Sequence, residues 1–389
     1  MSAPTSGPDL DAPVHRLLLA CLRARWDPTA LEAARALAAE PALDWEALTR
    51  LAQAERISPL LYAVGRHAEW LPGPVLERLR RDYMLTAARN ALYLGALARA
   101  LARLEAAGIA AIVLKGAALA ETLYEQIAVR PLGDLDLLVQ REDGAAALAA
   151  LAELGYAPLD PEARPGAALA WENEVCLTCP QPLPHLLEIH WSLFDSPHYQ
   201  QRLAMDWFWD TAQRATVGGR EALILGPEAQ LVHLCGHLAL HHEGQGWLWH
   251  HDIAELLARR GATLDWGLAL EQAERGELVV AMQTVLGRVA AAWQAPIPPA
   301  ALARLAALRP SPAEMRAMAP LSAPSATVAG RFWADLAAMP GWRARLRYAL
   351  ESLFPSSDYM RQRYAIRHGW LLPLYYPWRW WVGLVQRRR

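Results

Sequence analysis

Residue 109 marks a change of periodicity that limits the fold more than any other feature of the chain. Before it, the apolar residues of LLLACLRARW, LEAARALAAE, DWEALTRLAQAE and VLERLRRDYMLTAARNALYLGALARALARLEAAG recur every three or four positions, as in helices that bury one face. Asp44 before WEAL is expected to cap a helix, and Gly108 to end the last one. From 109 to 226 the pattern becomes short apolar runs separated by helical pieces, the texture of a mixed α/β unit. IAAIVL (109–114), LDLLV (135–139), EVCLTC and LLEIHW (186–191) read as strands, EDGAAALAALAELG as a helix, and VGGREALIL as a hairpin about Gly218-Gly219. Helices return at PEAQLVHLCGHLALHH, where Pro227 suits a first helical turn. The expected fold class is α+β: a helical region over 1–107, a core on a small mixed sheet over 108–226, and a helical region with an aromatic and basic tail over 227–389.

Composition removes several classes. With 54% hydrophobic and 20% charged residues in 389, the chain is far from a disordered composition. Lys plus Arg total 38 against 40 for Asp plus Glu. This excludes a global positive field for a polyanion, and double-stranded nucleic acid is not an expected partner. Four cysteines make no disulfide scaffold, and MSAPTSGPDLDAPVHR lacks the basic start and apolar core of a signal peptide, so the cytoplasm is the expected compartment. Of the 38 basic residues only Lys115 is a lysine. In a chain that uses arginine for generic surface charge, a retained lysine marks a place that needs a compact ammonium.

Chemistry concentrates at RPLGDLDLLV. Residues two apart on a strand share a face, so Asp134 and Asp136 are expected to project together. Two close carboxylates repel unless a cation lies between them, the arrangement that holds Mg²⁺ beside a phosphate. Glu188 in LLEIHW leaves another apolar strand; if that strand lies beside the first, three acids converge and can hold two divalent ions.

The order LKG, then DLDLLV, then LEIHW resembles the nucleotidyltransferase superfamily that shares the DNA polymerase beta core. More narrowly it is similar to a bacterial family of uncharacterised nucleotidyltransferases that carries an LKG-x-AL, R-x-x-x-D-x-D-LLV and E-x-HW series. The similarity runs from about Gly108 to Trp191 and more loosely through HLCGHLALHH and WLWHHDIAEL. It implies a nucleotidyltransferase core on the mixed sheet, with Asp134 and Asp136 as the metal pair (Mg²⁺ or Mn²⁺) and Glu188 as the third carboxylate. It also implies Gly116 as the glycine that lets nucleotide phosphates approach the backbone, and a nucleoside triphosphate as substrate. The chain departs from the superfamily in having Ala117 where a second glycine or a serine is usual, and in a longer gap from Gly116 to Asp134. Lys115 and Arg130 flank the same place and would neutralise a triphosphate; for Arg130 a salt bridge to Asp134 is the alternative.

The reaction implied is transfer of a nucleoside monophosphate to a hydroxyl-type acceptor on a small molecule, peptide or protein, with release of pyrophosphate. Two other outcomes stay open: a catalytically weak nucleotide-binding adaptor in a peptide or polysaccharide pathway, and a toxin-like enzyme acting on tRNA or protein. Weaker signals surround this core. His233, His237 and His241, with His242, His250, His251 and Asp252 behind them, are expected to pack a helix on the sheet and partly line the pocket, since no HExxH accompanies them. Cys176 and Cys179 are a lone CxxC, and the R-x4-H of Arg363 and His368 is spacing that an arginine-rich tail produces by chance. The tail from Trp370 to Arg389 is broken by Pro373, Pro377 and Arg379 and is not expected to span a bilayer. It either folds back on its own domain, docks on a partner or makes peripheral contact with the inner membrane face.

Overall fold

The computed structural model describes residues 9–385 apart from 10, 42, 125, 161, 165, 181–182 and 319–327. The N-terminal part is five helices: α1 (Pro13–Arg23), α2 (Pro28–Ala38), α3 (Trp45–Ala54), α4 (Ser58–Gly65) and the long α5 (Gly73–Ala106). Asp44 caps α3 by accepting from Ala47 N at 2.9 Å, the role expected of it. Gly108, at φ +74°, closes α5, and Ile109 N donates back to Leu104 O at 2.9 Å, as in a left-handed helix end.

Seven strands follow in one mixed sheet: β1 (Ala111–Val113), β2 (Leu135–Val139), β3 (Ala157–Pro158), β4 (Glu174–Cys179), β5 (His185–His190), β6 (Gln213–Val217) and β7 (Arg220–Ile224), in the order β3-β4-β5-β2-β1-β7-β6. β2 runs parallel to β5 and antiparallel to β1, while β1 runs parallel to β7. The hairpin β6–β7 turns at Gly218 and Gly219, both at positive φ, as a two-residue hairpin loop requires. Between strands lie α6 (Lys115–Thr122), α7 (Gly144–Ala152), α8 (Ala167–Trp171), α9 (Pro197–Gln200) and α10 (Met205–Asp210). The sequence did not anticipate β3, which is only two residues long, and β1 takes only Ala111–Val113 of IAAIVL, Leu114 being the N-cap of α6.

Alternation along the strands gives the sheet two unlike faces. Leu135, Leu137 and Val139 of β2 and Leu187 and Ile189 of β5 pack with Leu97, Leu101 and Leu104 of α5 and with Leu151 of α7 in an apolar cluster. The opposite face carries Asp136, Glu188 and His190, beside Ile112 and Leu138 of a second and larger cluster. α11 (Pro227–His241), packed on α12 (Trp247–Arg260), α13 (Trp266–Arg275) and α14 (Val279–Arg288), contributes Leu231, Leu234 and Leu238 to that second cluster. Charged side chains on the covered face of a sheet are costly unless they are paired, and this asymmetry locates the site.

The chain ends in α15 (Pro299–Ala307), α16 (Pro312–Met318), α17 (Val328–Ala338), α18 (Gly341–Leu353), α19 (Ser357–Tyr364) and α20 (Leu372–Val385). Pro373 lies in the first turn of α20, and the helix runs through Pro377. A mid-helix proline forfeits one backbone hydrogen bond, and here Tyr376 Oη donates to Pro355 O at 2.8 Å and Trp380 Nε1 to Leu353 O at 2.9 Å on either side of it. Among the described residues no helix is long and apolar enough to cross a membrane.

His250 and His251 on α12 are buried, and burial pushes both imidazoles down to about 4. Each is neutral in the fold and protonates near pH 6.5 when unfolded. Their contribution is therefore complete above pH 6.5 and is lost as pH falls from there toward 4. Urea unfolding at pH 7.5 and pH 5 is expected to show stability dropping by roughly 1–3 kcal/mol for each such histidine. His250→Phe, which retains the stack on Trp293 at 4.8 Å, is expected to flatten that slope.

Candidate active site

Register brings the acids together. Asp136 on β2 lies opposite Glu188 on β5, and Glu174 on β4 lies opposite His190. Asp136 Oδ1 accepts from Lys115 Nζ at 2.7 Å and from His190 Nε2 at 3.1 Å. Lys115 Nζ is also 3.6 Å from Glu188 Oε2, and His190 is 2.8 Å from Glu174 and 3.5 Å from Glu188. Ligand atoms of Asp136, Glu188 and His190 all fall within 4.8 Å of one another, the one such group of three among the described residues.

The charges are unevenly compensated. Burial disfavours the charged form of Asp136, yet Lys115 and the hydrogen bond from His190 overcome it and hold the carboxyl well below its usual range. Glu174 is likewise brought down to about 2, burial being outweighed by His190. His190 is buried, but Glu174 and Asp136 raise it well above an ordinary histidine; Nε2 donates to Asp136, and Nδ1 lies 2.8 Å from Glu174 as an ion pair. Asp134 and Glu188 go the other way: burial raises both, and Asp136 raises them further. Asp136 Oδ2 is buried with no hydrogen-bond partner among the described residues. Uncompensated carboxyls beside an orphaned carboxylate oxygen suit a hard divalent cation, which takes oxygen ligands. Asp134 stands just before β2, coupled electrostatically to Asp136 and Lys115 but outside the 4.8 Å group.

The turn into α6 is built around charge. Lys115 has φ +45°, a left-handed conformation that costs a non-glycine residue of order 1–3 kcal/mol, and from there its ammonium reaches the acids. Arg130 is buried and makes a two-pronged pair with Asp252 of α12, Nη2 to Oδ2 at 2.7 Å and Nε to Oδ1 at 3.3 Å, while Tyr124 Oη donates to Oδ1 at 2.7 Å. Asp252, and not Asp134, is thus its ion-pair partner, and its guanidinium is committed to holding the 130–134 loop. Gly116 faces that guanidinium: a Cβ there would lie 2.1 Å from Arg130 Nη1. The glycine read as room for phosphate makes room for an arginine in this structure. Asn90 of α5 fixes the same loop, donating to Arg130 O at 2.8 Å and accepting from Leu132 N at 3.1 Å.

Two contributors escaped the sequence reading. Arg56, at φ +59° after α3, lays its guanidinium against Gly133 and donates to Pro131 O at 3.3 Å. Burial lowers its basicity, and Asp134 partly restores it. Nothing local to Arg56 in the sequence marks it. Glu174 precedes an ordinary strand pattern and is recognisable only through its pairing with His190. His233, His237 and His241 of α11 are pushed down, chiefly by burial and next by Lys115. His237 and His242 share a hydrogen bond at 3.0 Å. Cys176 and Cys179 are free thiols on β4.

A mixed sheet with an acid-lined covered face, closed by a helical layer, defines a nucleotidyltransferase-type enzyme core. Residues 41–294 match the family model described as uncharacterised nucleotidyltransferase, and the chain belongs to that family, which makes it a transferase of nucleotidyl groups. A solved structure of an antigenic nucleotidyltransferase-like protein from Paracoccidioides brasiliensis is similar at 18% identity and a TM-score of 0.36, over 56% of this chain and 97% of that one. No curated protein matches the chain.

Gly116→Ala is expected to force Arg130 off Asp252, leaving a buried ion pair broken. Chemical denaturation should show a loss of roughly 2–5 kcal/mol, whereas Ala118→Gly two residues on should cost only about 1 kcal/mol.

Proposed function

We propose that this chain transfers a nucleoside monophosphate from a nucleoside triphosphate to a hydroxyl-type acceptor. The acceptor oxygen bonds to the α-phosphorus, the bond from that phosphorus to the bridging oxygen breaks, and pyrophosphate leaves. Asp134, Asp136 and Glu188 would hold Mg²⁺ or Mn²⁺, which when bound supplies charge neutralisation at the phosphates. Glu188 would hold the ion that activates the acceptor hydroxyl. Lys115 is the mobile cation, able to leave Asp136 for a phosphate oxygen, while Arg130 and Gly116 fix the turn and Arg56 adds positive charge beside Asp134. Positioning and charge stabilisation dominate such transfers, so no covalent intermediate with the protein is needed.

The observation that carries this reading is the convergence of Asp136, Glu188 and His190, with Asp136 Oδ2 left without a partner. The ion pair of Lys115 with Asp136 favours a second reading, in which the acids are already neutralised and the chain binds nucleotide as an adaptor without turnover.

Incubation with each α-labelled NTP, Mg²⁺ or Mn²⁺ and a cell extract separates the two. Label transfer is expected from the wild type, and a loss of at least about a hundredfold in Asp136→Asn and Glu188→Gln. NTP binding with no transfer under any of these conditions establishes the adaptor instead.

A further inference from the structure

The C-terminal helices carry an outward apolar surface that the nucleotidyl-transfer site does not use. On α18 the residues Trp342, Leu346, Leu350 and Leu353 recur at helical spacing, and all four are exposed, Trp342 to 70%. On α20, Leu374, Trp378 and Trp381 do the same, the two tryptophans exposed to 52% and 55%. Each stripe is one face of a helix, aimed away from the core instead of toward it. The two helices belong to one packed unit: Phe354, just past α18, meets Trp380 of α20 at 5.3 Å between rings.

Charge says what covers this surface. Residues 341–389 contain ten arginines and only two acids, Glu351 and Asp358, whereas residues 1–340 carry 28 basic against 38 acidic residues. Arg343, Arg345 and Arg347 are interleaved with the α18 stripe and exposed, and Arg343 lies over the Trp342 ring at 5.5 Å. Tryptophan with arginine beside an apolar stripe is the composition of a helix lying in a headgroup layer, its rings at the acyl boundary and its guanidinium groups at lipid phosphates. A second copy of the chain is a poor occupant, because a two-fold contact through this face would bring arginine against arginine. No described helix is long and apolar enough to cross a membrane, so the helices would lie on the surface and not span it. The match to the family ends at residue 294, so the whole unit lies outside the part that the family model describes.

We propose that α18 and α20 form a cationic, aromatic platform that docks the protein on an anionic lipid bilayer. The apolar stripes enter the interface and the flanking arginines pair with headgroup phosphates, while the acidic body remains on the water side. This surface is independent of nucleotide chemistry, and its test needs no NTP.

The full chain is sedimented with vesicles of phosphatidylcholine alone and with vesicles containing about one-third phosphatidylglycerol. Binding to the anionic vesicles only is expected, weakening steeply with added salt. Trp378→Ser/Trp381→Ser and Arg343→Glu/Arg367→Glu, Arg367 lying exposed between α19 and α20, each replace exposed side chains and should unfold in urea as the wild type does. Each is expected to bind at least about tenfold more weakly. Failure of the wild type to bind anionic vesicles, or equal binding by both double variants, overturns the proposal. So does a dimer in light scattering that Trp378→Ser/Trp381→Ser dissolves, since the surface then serves self-association.

Discussion

Asp136 is 1% exposed on the covered face of the sheet, and a bare carboxylate there would cost several kcal/mol. The ammonium of Lys115 and the imidazolium of His190 make its burial tolerable, and each of these is itself held by other charges. His190 is gripped from its far side by Glu174, and Lys115 reaches inward from a backbone in a left-handed turn. The site is therefore a chain of mutually dependent charges. Its negative members outnumber its positive ones, and the excess appears on Asp134 and Glu188, whose carboxyls are pushed up by burial. A cation recruited from solution would relieve that imbalance.

The fold supplies rigidity on both sides of this network. On the far face of the sheet, a dry cluster of leucines from β2, β5 and α5 fixes the strand register that sets Asp136 opposite Glu188. On the near face, the buried pair of Arg130 with Asp252 ties the loop before β2 to α12. The same arginine needs Gly116 to be glycine, so the conformation of the Lys115 turn and the position of the helical layer are linked through one guanidinium.

Much of this was legible because period and order are local properties. LDLLV, EVCLTC and LLEIHW announce strands at the residues where strands occur, to within one residue, and their succession after a lysine-glycine turn pointed to the family before any geometry was known. Facing relations were less legible. Asp134 and Asp136 looked equivalent by alternation, but β2 begins at Leu135, so only Asp136 has a strand partner in Glu188. Arg130 finds its carboxylate 122 residues away, and Arg56 enters from a helix end with no local signature. Pro377 lies inside α20, where hydrogen bonds from Tyr376 and Trp380 to the preceding segment hold the helix around it.

The claim on which the rest depends is that these carboxylates bind a divalent cation in place of Lys115. Titration of the purified chain with Mn²⁺, following the free ion by electron paramagnetic resonance, tests it directly. The account predicts saturable binding that is abolished in Asp136→Asn and strengthened in Lys115→Gly, which removes the competing ammonium and suits a positive φ. Absence of Mn²⁺ binding by the wild type, or equal binding by Asp136→Asn, would contradict it.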